Sequence, residues 1–189
     1  MDLPWGDERT KQFITNVGLI TSTGPHGNNI MAAEWTHHIS YSPALVAVSI
    51  GHGKITARNI MKIKVFGVSL AAEDQNILAS NAGNYHGDFF DKIAAFEEIG
   101  LKFTRGKETG VLLVDGAVLQ MECKLINMVS SGDHTLFIGE VVFAKLNNKK
   151  PLIMHDGKFW KLGEQIHKPA QDELERIKKI FEKHKRNNS

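Results

Sequence analysis

The chain has 189 residues, 42% hydrophobic and 23% charged, with a formal net charge of +2. That length suits one domain over 1–189 that needs no staples, and the near-neutral charge excludes the basic surface of a nucleic-acid binder. A single cysteine, Cys123, excludes a disulfide framework and a multi-cysteine metal site.

Residues 1–6 lack a signal peptide's basic and apolar runs, and no stretch reaches the roughly 18 apolar residues of a membrane span. A cytoplasmic protein without a membrane partner is expected. Asp7 predicts the cap of a helix to about Asn16, with Phe13, Ile14 and Val17 inward and Gly18 as its stop. Leu19 to Thr23 reads as a strand, 24–28 as a loop, and Asn29 to Ser40 as mostly extended chain closed by Tyr41-Ser42-Pro43. The apolar run Ala44 to Ile50 predicts a strand deep in a sheet, broken by Gly51-His52-Gly53. Ile55 to Met61 follows as a helix and Val65 to Leu70 as a strand.

Glu73 to Ala82 and Phe89 to Ile99 carry helical spacing, and Gly100 stops the second. Val111 to Val114, Ala117 to Val129 and Thr135 to Leu146 are β-rich, the last two joined as a hairpin through Ser130-Ser131-Gly132-Asp133. Pro151 to Leu162 contains another hairpin at Asp156-Gly157. Gln171 to His184 is an amphipathic helix with Leu174, Ile177, Ile180 and Phe181 on one stripe. Short strands with inserted helices suggest a mainly β, mostly antiparallel barrel, since closure removes sheet edges.

Three segments could carry chemistry. The first is the strand Val46 to Ile50, the turn Gly51-His52-Gly53 and the helix start Lys54 to Asn59. A helix start presents unpaired N–H groups, glycine admits a ligand to the backbone, and Lys54 and Thr56 add a charge and a hydroxyl, as a terminal phosphate requires. The same pattern also serves an ordinary turn that Thr56 caps. The second is Asn28 to Ser40, where small residues leave room for a flat ring, backbone groups suit an isoalloxazine edge, and Trp35 offers a wall. Met31 and Trp35 also suit a plain core. The third is His134, just after a β-turn, able to donate to an amide or phosphate or simply to pair with Asp133. The adjacent His37-His38 point to opposite faces of a strand, and no HExxH pattern occurs, so no metal site is expected. Cys123 lies in an apolar strand and reads as an inert core thiol.

In order, Asn29-Ile30-Met31-Ala32-Ala33-Glu34-Trp35, Ser40-Tyr41-Ser42-Pro43, Val46 to Ile50, Asn59-Ile60, Phe66 to Leu70, Ala82-Gly83-Asn84-Tyr85, Asp91-Lys92, Leu119 to Cys123, Gly132-Asp133-His134 with Phe137 to Val141, and Pro151-Leu152-Ile153 resemble the flavin reductase-like family. The similarity runs from about Phe13 to Gly163. It implies an FMN-binding split β-barrel of Greek-key type over about 13–163, with the C-terminal helix beyond. It implies FMN, or FAD in some members, near the interface of a homodimer, with NADH or NADPH as electron donor. By this resemblance Asn29, Met31, Ala32, Ala33, Glu34, Trp35, Thr36, His37, His38 and Ser40 would face the flavin. Ser49, Gly51, Lys54 and Thr56 would form the phosphate side, and Asn81, Gly83, His86 and Lys92 a further flavin-side segment. His134 would meet the nicotinamide. The activity implied is NAD(P)H:flavin oxidoreductase, supplying an oxygenase, a ferric chelate or another acceptor. A flavoredoxin-like carrier reduced by an electron-transfer protein, and a flavin-binding module without redox turnover, are the alternatives. No acid or base is needed for hydride transfer to a flavin, so no catalytic side chain is expected.

Overall fold

The computed structural model describes residues 1–167 and 169–185. Its centre is a seven-stranded sheet built from β2 (Gly18–Ser22), β3 (Asn29–Ala33), β4 (Thr36–Tyr41), β5 (Ala44–Gly51), β6 (Val65–Leu70), β9 (Leu119–Ser131) and β10 (His134–Leu146). The order is β3-β2-β6-β9-β10-β5-β4, and every neighbouring pair is antiparallel. The two end strands, β3 and β4, are consecutive in the chain and joined only by Glu34-Trp35. The sheet therefore curls until its ends meet at that link, where Ser49 N–H donates to the Trp35 carbonyl at 2.9 Å.

Alternation along the strands fills the interior. Ile20, Val46, Val48, Ile50, Phe66, Val68, Cys123 and Phe137 form one buried cluster, which Ala57 and Ile60 of α1 (Ile55–Ile63) complete from one end. Gly139 is required there, because a Cβ would come within 2.5 Å of the Phe66 ring. The Cys123 thiol is pushed up to about 12 by burial and then by the neighbouring Glu122 carboxylate, so it stays an unreactive core group.

A second cluster lies outside the barrel wall. Leu19 and Ile30 meet Leu78, Ala79 and Ala82 of α2 (Asn76–Asn84) and Ile93 and Phe96 of α3 (Lys92–Glu98). Leu112 and Val114 join them from β8 (Leu112–Val114), which pairs with β7 (Phe103–Arg105). A small sheet of β1 (Thr15–Asn16), β11 (Ile153–His155) and β12 (Lys158–Trp160) closes the molecule near the N-terminus, and α4 (Gln171–Lys183) follows with no buried residue.

The helix expected from Asp7 to Asn16 does not form. Only a 3-10 turn at Thr10–Gln12 is present, Thr15 pairs with Met154, and Phe13 and Ile14 are exposed. Asp7 does cap locally, accepting from the Arg9 N–H at 2.9 Å, but no apolar wall stands beside Phe13 and Ile14 to hold a helix. The extended stretch from Asn29 to Ser40 is split at Glu34-Trp35 rather than continuous. The helices expected from Glu73 and Phe89 begin three residues later, at Asn76 and Lys92. The hairpins at 130–133 and Asp156-Gly157 form as expected.

Candidate functional site

A cleft opens where β3, the start of α1, the end of α2 and the 85–87 turn converge. Its walls are Asn29, Met31 and Ala32, then Lys54, Ile55 and Thr56, then Ala82, Gly83, Tyr85, His86, Gly87 and Lys92. Several residues singled out separately in the sequence thus line one concavity.

The α1 end concentrates positive potential. Lys54 is the N-cap residue in extended conformation, and its side chain makes no capping hydrogen bond to the first-turn amides. Thr56 is fully buried, and its hydroxyl accepts from Asn29 Nδ2 at 2.8 Å, so its proton is free to point elsewhere. Lys92 approaches from α3. Its Nζ donates to the Ala82 and Tyr85 carbonyls, both at 3.0 Å, which secures the end of α2 and orients the ammonium. Burial, and then the like charge of Lys54, push Lys92 down to about 8. Two cations that repel one another beside uncapped amides leave a field that a phosphate dianion would relieve.

A second locus sits at the β3–β4 link. The Trp35 and His134 rings lie 4.7 Å apart at 45°. His134 Nδ1 is 2.7 Å from Asp133 Oδ1, and that bond holds the Asp133 carboxyl below its usual range. Donation from Nδ1 leaves Nε2 as the free ring nitrogen, on the side of Gly51, which pairs with His134 across the sheet. The Glu34 carboxyl, half-buried, is pushed up by that burial.

Other expected residues lie apart from the cleft. Ala33 packs into the barrel core, and the buried Thr36 hydroxyl donates to the Ala33 carbonyl at 3.0 Å. His37 and His38 are exposed on β4, and Ser40 follows half-buried. Ser49 is half-buried on β5. Asn81 spends its amide within α2 on the Ile77 carbonyl at 2.8 Å. Ile55, Ala82, Tyr85 and Gly87 line the cleft without having been singled out as site residues. Gly87 carried a signal, since a glycine flanking a short polar turn marks a close approach: a Cβ there would meet Asn29 Oδ1 at 2.5 Å. His86 Nδ1 stands 2.8 Å from Asp88 Oδ2 without the alignment of a hydrogen bond, and Arg58 pairs with the same carboxylate.

The chain is similar to several known proteins. An NADH-dependent FAD reductase from Streptomyces globisporus is 29% identical over 136 residues, covering 70% of each chain. The NADH-dependent FMN reductase SmoA from Agrobacterium fabrum is 25% identical over 153 residues, covering 81% of this chain and 82% of its own. Among solved structures, BorF, the flavin reductase component of a bacterial two-component tryptophan halogenase, superposes with a TM-score of 0.73 at 27% identity, over 83% of this chain and 96% of BorF. Residues 10–163 match the flavin reductase like domain, and the chain belongs to that family.

Proposed function

We propose that this chain is an NADH-dependent flavin reductase that supplies reduced flavin to an oxygenase-type partner, and that it works in the cytoplasm as a homodimer with the flavin near the subunit contact. The observation that carries the reading is the cleft in which the uncapped start of α1, Lys54, Thr56 and Lys92 converge beside Met31 and Ala32. A flavin held in this cleft would supply the redox chemistry of the reaction.

The chain's own residues bind and orient. Lys54, Lys92 and the first amides of α1 would hold the phosphate, and the Thr56 hydroxyl, kept in place by Asn29, would donate to it. Met31 and Ala32 flank the path from that phosphate toward the β3–β4 link. Trp35 and His134 form the wall against which a nicotinamide stacks, with Asp133 fixing the imidazole. A dimer would cover Ile39 and Tyr41 on β4 and Ile126, Met128 and Val129 on β9, all exposed on one four-stranded section of the sheet.

Lys54→Ala tests the phosphate assignment. It should weaken FMN about tenfold or more, as expected for loss of a charge-assisted contact, and leave riboflavin unchanged. Equal loss for both ligands in a calorimetric titration would remove Lys54 from the phosphate.

A further inference from the structure

One guanidinium joins the two walls of the cleft. Arg58, on α1, donates through Nη1 to the Gly53 carbonyl, in the turn that leads into Lys54. Through Nη2 it donates to Asp88, in the 85–91 segment that supplies Tyr85, His86 and Gly87 to the opposite wall. Arg58 does not itself line the cleft. We propose that Arg58 is a positioning residue that latches the 85–91 segment as a strap against the cleft and so sets how fast a flavin enters and leaves. The proposal rests on the flavin reading above and deepens it, from where the phosphate sits to how it is kept.

The strap has firm ends and a loose middle. At one end the Lys92 ammonium holds the Tyr85 carbonyl at 3.0 Å. At the other, Asp91 caps α3 by accepting from the Ala94 N–H at 3.0 Å. Between them the Phe89 N–H returns to the His86 carbonyl at 3.0 Å, inside the segment. The rings also pack within it, His86 with Phe89 at 5.9 Å and Tyr85 with Phe90 at 5.1 Å. Phe89 and Phe90 stay 79% and 51% exposed, so neither anchors the strap in the core. Among the described residues, the Arg58–Asp88 pair is the one hydrogen bond or ion pair that ties 86–90 to the rest of the molecule.

The latch reaches the cleft through its neighbours. Asp88 Oδ2 lies 2.8 Å from Nδ1 of His86, which lines the cleft. Gly87 stands too close to the Asn29 side chain to admit a Cβ, and Asn29 donates to the Thr56 hydroxyl at 2.8 Å. Releasing Asp88 therefore loosens His86, Gly87 and the partner of Thr56 together. On its other side the strap borders an open cleft of about 590 Å³ facing the 26–28 loop, which leaves it room to swing. Both partners of the latch are about one-third exposed, and an ion pair that open to water contributes little to global stability. It can break and reform while the barrel stays folded.

Stopped-flow flavin fluorescence on the full-length protein, with FMN and with riboflavin, tests this in wild type, Arg58→Ala, Asp88→Asn and the double variant. Each single substitution should speed both association and release of both flavins about two- to fivefold, as for loss of one partly exposed ion pair. The double variant should go no further than either, since the two residues act as one unit. Dissociation constants should move less than release rates, because the strap gates both directions. Release rates unchanged by either substitution would overturn the latch. So would a loss of FMN affinity in Arg58→Ala with riboflavin unmoved, because Arg58 would then hold the phosphate itself. Faster release with slower association would also overturn it, as the mark of a damaged wall rather than an opened one. A wild type that binds neither flavin would overturn the flavin reading as well.

Discussion

Lys92 is one of 23 Lys and Arg residues in the chain, yet folding carries it to 5% exposure. Its ordinary value is 10.5, and burial with the nearby Lys54 lowers it to about 8. Between those values the unfolded chain holds a proton that the folded one has lost, so this lysine's contribution to stability rises with pH across that window. A bound phosphate reverses the preference by favouring the charged form. FMN affinity should therefore stay level from about pH 7 to 8 and then fall, by up to about tenfold per pH unit, because each binding event must take up a proton. Riboflavin should show no such fall. Isothermal titration in buffers of different ionisation enthalpy measures the proton count directly, and a count near zero at pH 9 would separate Lys92 from the phosphate.

At the scale of elements, Glu122 shows how one strand holds a distant hairpin. It is buried on β9 and accepts from the amides of Lys107, Glu108 and Thr109, the last at 2.6 Å, and from the Thr109 hydroxyl at 2.7 Å. Burial pushes its carboxyl up, but those bonds outweigh it and hold the group below its ordinary 4.5. The stability it supplies is complete above that value and is lost as pH falls through the lowered one. Glu122→Gln should cost about 2–3 kcal/mol in denaturant unfolding, by turning an amide donor toward backbone donors. A change near zero would mean that the β7–β8 turn stands without it.

Nothing in the sequence marks this arrangement, because the partners are backbone groups brought close only by folding. Strands of Val and Ile, the 130–133 hairpin and the glycine turn into α1 at Lys54 are legible because each is a local pattern. The Asp7–Asn16 segment does not follow its apolar spacing, because that spacing says nothing of whether a wall exists to receive a helix. β7 escaped notice because three residues, two of them exposed, leave no periodic signal. Lys92 entered the site through its place in a family pattern, since its contacts with Ala82 and Tyr85 depend on the α2–α3 turn.

At the scale of the whole molecule, the exposed residues on β4 and β9 belong to the β9-β10-β5-β4 side of the strand order, and the half-exposed Trp35 sits at the link that leads into it. Burying that side against a second copy would need an interface of roughly 1,600 Å² or more in total. Light scattering should return twice the chain mass at micromolar concentration, and Met128→Glu should shift the population toward monomer and weaken flavin binding with it. A monomer that binds flavin tightly would exclude a site that depends on the partner. Electron flow from NADH to the flavin is tested most directly by anaerobic stopped-flow absorbance of the flavin-loaded protein mixed with NADH. The account predicts rapid bleaching of the flavin, slowed about five- to a hundredfold in His134→Ala by loss of one hydrogen bond at the Trp35 wall. A bound flavin that stays oxidised with NADH in the wild type would contradict it.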